Sequence, residues 1–455
     1  MNVEMNMNRN EYLKSVKNRL DSVGDGFCAM KWLHETLYLH TGDNHSCYHP
    51  RPRNVPLSEI EKDPSALHNT NWKKWQRKVM LEGQRPSECY YCWNIEDLEG
   101  DHFSDRVFHS SSDFAEPLIE TLAELPWDQP INPKYLEVSF GNGCNYRCGY
   151  CCPQASTLWV DEIKKHGNYD LTYNQYGIDF LEKGTYYGPK DDNPYIEAFW
   201  KWWPSLRKDL HTLRITGGEP LMNPGALQFF DLLEDEPAPQ LELSVNSNLG
   251  VSFNKMDRMY TRIQSLLNNK KIKKFSLFTS IDTWGEQAEY MRTGLKCDHW
   301  ERNLIKAFDM GFQVNIMCTF NVLCVTNFKS LLDKVIEWRK KYGKNAVRFD
   351  TPYLKEPPHW MINILPKEFI KYMDDNLLYI QNNEWFRSDE YEKFKRVTNY
   401  MKENPVSKEK IEQGRRDFYV FFKENDRRLN TNMLEVFPEY TTFFNLCKKV
   451  YENYD

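Results

Sequence analysis

Between residues 131 and 350, short apolar runs alternate with longer helical ones, and this alternation restricts the fold more than any other feature of the chain. The strand-like runs are Tyr135–Phe140, Thr212–Thr216, Leu241–Asn246, Lys274–Ile281, Gln313–Phe320 and Ala346–Asp350. Helix-like segments separate them at Gln154–Lys165, Pro224–Leu233, Asn254–Leu267, Trp300–Met310 and Asn327–Lys341. A strand followed by a helix that carries the chain back is the unit of a parallel sheet, so the expected class is α/β. Six such units are too few to close an eight-stranded barrel, and in barrels of this type active sites gather at the carboxyl ends of the strands.

Two of those strand ends carry chemistry. Tyr135–Phe140 runs into Gly141-Asn142-Gly143-Cys144-Asn145-Tyr146-Arg147-Cys148-Gly149-Tyr150-Cys151, with three cysteines in a C-x3-C-x2-C pattern. Three thiolates can hold three corners of a cubic four-iron cluster and leave one iron open to another ligand. The same residues would also suit a three-cysteine zinc knuckle, or thiols packed in a core. Cys152 offers a competing C-x3-C-x3-C register. The second strand end is Ile215-Thr216-Gly217-Gly218-Glu219-Pro220. Paired glycines let backbone approach a ligand, and Glu219 can accept hydrogen bonds from an ammonium group; a plain tight turn is the other reading.

Together the two stretches resemble the radical S-adenosylmethionine (radical SAM) superfamily, with its CxxxCxxC loop and Gly-Gly-Glu-Pro motif, over residues 131–350. The resemblance implies a partial (βα)6 barrel. It also implies a [4Fe-4S] cluster that chelates SAM and cleaves it reductively to a 5′-deoxyadenosyl radical. Cys144, Cys148 and Cys151 are then the cluster ligands, because the family carries an aromatic residue before the third ligand and Tyr150 stands there. Cys152 is left as a bystander.

Gly217, Gly218 and Glu219 would meet the amino end of SAM. Asn246, with Ser244 next, would meet its ribose, since amide and hydroxyl side chains at a strand end suit a diol as well as they suit a helix cap. Ser280-Ile281-Asp282, followed by Arg292, resembles the family's Ser-x-Asp strand end and its later arginine. That arginine pairs with the SAM carboxylate, to which a planar fork is well matched. Catalytic residues beyond these cofactor contacts are not named by the sequence.

The first 130 residues are short on regular pattern and rich in Cys, His, Trp and Pro. Helices are expected at Glu11–Val23 and Trp72–Leu81, with a loop-like stretch Thr41–Pro56 between them that carries His45, Cys47 and His49. Such a region needs more than an apolar core, and a metal would serve. Cys89-x2-Cys92 is a knuckle that grips one metal or two cluster corners. Cys28-x13-Gly42-x4-Cys47 is similar to the opening of the auxiliary-cluster regions called SPASM and twitch. With no long cysteine series after Cys92, the truncated twitch version is implied. It would carry one auxiliary [4Fe-4S] or [2Fe-2S] cluster on Cys28, Cys47, Cys89 and Cys92. In the family that region follows the barrel, whereas here it precedes it. A zinc site on these cysteines with His45 or His49 is the alternative. Cys297, Cys318, Cys324 and Cys447 belong to no motif and read as buried spectators.

The resulting division is an auxiliary-cluster domain at 1–130, the partial barrel at 131–355 and a helical C-terminal region at 356–455. The connection Asn168–Trp203 exceeds a usual βα link, so a lid or substrate wall is expected there, Phe199-Trp200-Lys201-Trp202-Trp203 included. Lys408–Arg416 is locally basic and reads as a solvated helix face.

The 455 residues carry a net charge of −6 with both signs interspersed, which disfavours a nucleic-acid partner. Hydrophobic residues make up 40%. No apolar run reaches the roughly 18 residues of a membrane span. Met1–Asn10 is polar and lacks an apolar signal core, so a cytoplasmic protein is expected, in which 12 cysteines read as metal ligands rather than disulfides. The expected partners are SAM, an electron donor such as flavodoxin or ferredoxin, and a substrate of unnamed identity. A peptide or protein side chain leads as substrate, with a nucleobase or small metabolite as alternatives. The non-enzymatic alternative is a zinc-stapled interaction protein.

Overall fold

A period of two in burial builds the main sheet. The computed structural model describes residues 8–454 except 99, 101, 183–185, 189 and 190. Most of the polar stretch Met1–Asn10, and parts of Asn168–Trp203, therefore lie outside the described residues. The strands are β1 (His34–Tyr38), β2 (Asp43–His45), β3 (Arg53–Asn54), β4 (Tyr135–Ser139), β5 (Arg147–Cys148), β6 (Thr212–Thr216), β7 (Ala238–Asn246), β8 (Ile272–Ser280), β9 (Arg292–Thr293), β10 (Gln313–Met317) and β11 (Val347–Asp350). Nine of them form one open sheet in the order β11-β10-β8-β7-β6-β4-β1-β2-β3, and β5 pairs with β9 apart from it. From β4 to β11 every pairing in that sheet is parallel. The crossovers run through helices Pro194–Asp209, Pro224–Asp235, Phe253–Asn268, Cys297–Asp309 and Phe328–Tyr342. This is an α/β fold with six successive parallel strands, as the alternation predicts.

One face of each strand is apolar and packs with the helices in a single core: Leu136 and Val138, Leu213 and Ile215, Leu243 and Val245, Phe275 and Leu277, Val314 and Ile316. The alternate positions Glu137, Arg214, Asn246, Phe278 and Asn315 are half-buried. In a closed eight-stranded barrel such positions fill the interior. Six strands leave this mostly polar inner face lining open space.

The sheet does not stop at residue 131. β1 adds to β4 in parallel, from His34↔Tyr135 to Tyr38↔Ser139, and β2 and β3 follow antiparallel. No strand is expected there from the sequence, because the buried residues of β1 include His34, Glu35 and Thr36, which give no apolar alternation. The remaining N-terminal residues have a second apolar core around Leu20, Phe27, Trp32, Met80 and Ile119, joining helices Arg9–Val23 and Asn71–Leu81.

The tryptophan-rich stretch is not a lid. Phe199, Trp202 and Trp203 are at most 3% exposed. Phe199 meets Phe140 and Phe229 edge-on, at 5.5 and 5.7 Å between ring centroids. At the C-terminus, helix Lys408–Leu429 packs on the turn Pro358–Trp360, with Phe422 5.2 Å from Trp360. Its buried Asp417 accepts hydrogen bonds from the backbone of Thr172 and Tyr173, which pins part of the long connection. No helix among the described residues is long and apolar enough to cross a membrane.

Candidate functional site

The cysteine loop and the paired-glycine turn are fitted to one another, backbone to backbone. Gly218 N donates to Gly141 O (3.2 Å) and Glu219 N to Gly143 O (2.7 Å). A Cβ on Gly218 would stand 2.4 Å from Gly143 O and 2.6 Å from Asn142 O, and Gly217 sits at φ +128°. Only glycine allows this approach. Within the cysteine loop, β5 pairs with β9, which sets Cys148 directly opposite Arg292.

Cys144, Cys148 and Cys151 line one cavity of about 230 Å³, together with Gly217, Gly218, Asn246, Ser247, Asn248, Ser280 and Arg292. Cys144 Sγ accepts from Tyr146 N (3.4 Å) and Asn248 Nδ2 (3.6 Å), and Cys148 Sγ accepts from Arg292 Nη1 (3.6 Å). Burial pushes the Cys144 thiol up to about 12 and raises Cys148 as well, with Arg292 working the other way. Cys151 is raised first by its hydrogen bond with Cys152 and then by burial. A bound cationic group would reverse this preference and hold all three as thiolates. As they stand, no three His, Cys, Asp or Glu side chains among the described residues converge on a single metal ion. Donors spread round a cavity, with N–H groups aimed at two of the sulfurs, fit a cluster whose irons occupy separate corners better than one tetrahedral zinc. Cys152 faces a neighbouring cavity instead, and its thiol is pulled down to about 7 by the bond from Cys151.

The remaining expected cofactor residues divide in two. Asn246, Ser280, Tyr150, Arg292 and both glycines line the cavity, and Asn246 Oδ1 accepts from Arg214 Nε (2.9 Å). Ser244 is buried in β7 and Glu219 is 1% exposed; neither lines it. The Glu219 carboxylate is raised to about 7 by burial and already accepts from Leu221 N (3.1 Å), Ser247 Oγ (3.1 Å) and Asn248 N (2.7 Å). It ties the turn after β6 to the loop after β7. The Arg292 fork is likewise engaged, with Nε on Asp282 Oδ2 (2.8 Å) and Nη2 on Oδ1 (2.9 Å). Fully buried Asp282 also accepts from Tyr150 OH (2.6 Å) and Thr319 N (3.0 Å). Asp282 is therefore a hub that orients Tyr150 and Arg292, and Nη1, the arm not spent on Asp282, is the one turned to Cys148 Sγ. Ser247, Asn248 and Thr319 also belong to the site, beyond the residues the sequence names. The first two stand in the polar run Ser244–Asn248, which was the available signal, while Thr319 had none.

Cys28, Cys47, Cys89 and Cys92 come together at a second, small cavity walled by His49, Asp105, Arg106 and His109. Burial raises all four thiols, Cys47 to about 12. Lys31 lies beside them, 2% exposed and paired with Glu88; burial opposes its charge, and Cys89 and Glu88 restore it. His49 and His45 are engaged with other partners. His49 Nε2 bonds Asp105 (2.6 Å) and its ring stacks on Tyr91 at 3.7 Å, while His45 Nδ1 contacts the Cys47 carbonyl. Four thiols gathered at one cavity are the number a closed cluster takes.

Cys297, Cys318, Cys324 and Cys447 are buried, and Cys318 Sγ bonds Asp282 O at 3.3 Å. A cavity of about 510 Å³ between Asp63, Asn132 and Trp202 contains none of the expected cofactor or metal residues.

No family model matches the chain. It is 23% identical over 217 residues to a GTP 3′,8-cyclase of Sulfurimonas denitrificans, covering 47% of this chain and 54% of that one. It is 30% identical over 122 residues to a GTP 3′,8-cyclase of Hydrogenovibrio crunogenus, covering 26% of this chain and 29% of that one. The chain thus spans about half or less of the length of these curated relatives. A solved structure of native anSMEcpe with bound AdoMet aligns at 14% identity and a TM-score of 0.30, over 65% of this chain and 62% of that one. At that TM-score the likeness carries no weight.

Proposed function

We propose that this chain, a member of the radical SAM superfamily, binds SAM on a [4Fe-4S] cluster held by Cys144, Cys148 and Cys151 and uses it to modify a substrate. The observation that carries the reading is the interlock of the cysteine loop with Gly217-Gly218 around one cavity at the carboxyl ends of the strands. When bound, such a cluster supplies one electron to SAM, whose cleavage yields a 5′-deoxyadenosyl radical.

The chain's own residues prepare that event. Asn248 and Arg292 Nη1 donate to two of the sulfurs and favour their thiolate forms. Gly217 and Gly218 would offer bare backbone to the amino end of SAM, and Asn246 with Ser247, on the same cavity, would meet its ribose. Asp282 fixes Tyr150 and Arg292, so that the second N–H of Nη1, beside the one on Cys148, would serve the carboxylate. Glu219 acts through Ser247 and Asn248, holding the β7 loop in place. Trp360, edge-on to Tyr150 at 5.4 Å, shields the loop from water.

The proposed organisation keeps residues 1–130 as an auxiliary-cluster unit on Cys28, Cys47, Cys89 and Cys92, 131–355 as the barrel and 356–455 as a helical region. A flavodoxin or ferredoxin is the proposed electron donor, the cytoplasm the proposed location, and a peptide or protein side chain the leading substrate. The test is anaerobic reconstitution followed by SAM titration, monitored by electron paramagnetic resonance of the reduced cluster. A SAM-dependent change in the signal, absent in Cys148→Ala, supports the assignment. A signal indifferent to SAM refutes it.

A further inference from the structure

A cavity of about 470 Å³ opens beside the proposed SAM site and shares Ala155, Gly217 and Gly218 with it. Its size falls within the roughly 300–1,000 Å³ of pockets that enclose small ligands or ligand groups. Tyr38, His40 and Asp43, from β1, β2 and the turn between them, form one wall, and Glu137 of β4 and Cys152 form another. We propose that this cavity is the substrate site and that it takes a cationic, N–H-rich group, a guanidinium or ammonium, rather than a phosphate. The proposal rests on the radical SAM reading for its chemistry but not for its charge argument.

The described lining residues include two carboxylates, Asp43 and Glu137, and no Lys or Arg. Glu137 Oε2 is buried and accepts no hydrogen bond; its one partner is an ion pair at 3.6 Å with Arg214 Nη1, which lies outside the lining. Asp43 Oδ1 accepts one long bond from Asn54 (3.3 Å). His40 is 5% exposed, its Nε2 lies 3.3 Å from Gln154 O, and burial holds it neutral. A phosphate entering here would meet two carboxylates and leave its own charge unpaired, which is costly in a partly dry site. A guanidinium would supply paired donors to two carboxylates that now have only one long hydrogen bond and one long ion pair.

The GTP cyclases that this chain resembles are named for a polyanionic nucleotide, and this cavity has no cation on its described walls to hold one. One of the two carboxylates, Asp43, comes from β2, outside the six-stranded unit, and the other, Glu137, from β4 within it. Substrate choice is thereby shared between the N-terminal residues and the barrel.

The test uses the anaerobically reconstituted full chain, with agmatine and GTP as probes. Isothermal titration measures binding, and mass spectrometry locates it through protection of Cys152 from iodoacetamide. Agmatine is expected to bind and to protect Cys152. In the Asp43→Asn/Glu137→Gln variant its affinity should fall tenfold or more while SAM affinity stays unchanged, and GTP should protect nothing. Failure of agmatine to bind, equal binding to both proteins, or better protection by GTP overturns the proposal. If SAM itself does not bind, the radical SAM reading falls, and the agmatine and GTP arms still decide the charge preference of the cavity.

Discussion

Cys144 and Cys148 each receive an N–H donor, and Cys151 leans on Cys152, whose own side chain belongs to the next cavity. Replacing Cys144, Cys148 or Cys151 by Ala is therefore expected to abolish SAM cleavage, while Cys152→Ala retains it. The reverse pattern for Cys151 and Cys152 would mean the other register. Gly218→Ala puts a methyl group 2.4 Å from a carbonyl oxygen of the cysteine loop, so the two loops must part. SAM affinity should drop tenfold or more with little change in far-UV circular dichroism; unchanged affinity would contradict the interlock. Asp282→Asn breaks a buried pair that is bidentate to Arg292, a loss of about 3–5 kcal/mol in denaturant unfolding. The cysteines and the glycines were legible because their spacing alone implies a shared job. The engagement of the Arg292 fork by Asp282 was not. Ten residues separate the two, and nothing local says whether the fork serves a ligand or the protein.

The turn Pro358–Trp360 and the helix Lys408–Leu429 brace the cysteine loop from behind. Trp360 lies over Gly149, where a Cβ would meet its ring at 2.4 Å. Next to it, His359 Nε2 lies 3.1 Å from Tyr176 OH, which bonds Gly149 O at 2.8 Å. Full burial lowers His359 from 6.5 to about 3. Below pH 6.5 the unfolded chain takes up the proton first, so stability falls as pH drops from 6.5 towards 3, by at most about 5 kcal/mol. His359→Gln should lose that part of the slope between pH 7 and 4. Parallel slopes in the two proteins would place the imidazole in water.

Element prediction succeeded where burial is one-sided. Thr212–Thr216 comes out residue for residue, and the other barrel strands shift only at their ends. It failed for β1, whose buried Glu35 contacts Lys73 and His68 (2.5 Å), because a strand that buries charge has no apolar signature. It also misjudged the tryptophans of Pro194–Asp209, since helical spacing does not reveal which side the sheet lies on.

Over the whole molecule, the sequence pattern conveys a parallel α/β unit with a cofactor loop at its carboxyl edge. It does not convey that the N-terminal residues extend the same sheet, because β1 meets β4 across about a hundred residues and only the folded register reveals the pairing. The two cysteine groups predict about eight irons per chain for two four-iron clusters, or about six with a two-iron auxiliary cluster. Substituting Cys28, Cys47, Cys89 and Cys92 together by Ala should remove the auxiliary share and leave the SAM-responsive cluster. About four irons with one tightly held zinc would instead make the N-terminal group a zinc staple.

The most direct test of the central claim is quantitative chromatography of SAM incubated anaerobically with reconstituted, dithionite-reduced protein. 5′-Deoxyadenosine is expected in amounts that grow with time in the wild type and to be absent in Cys144→Ala. A fully iron-loaded wild-type protein that leaves SAM intact would contradict the claim.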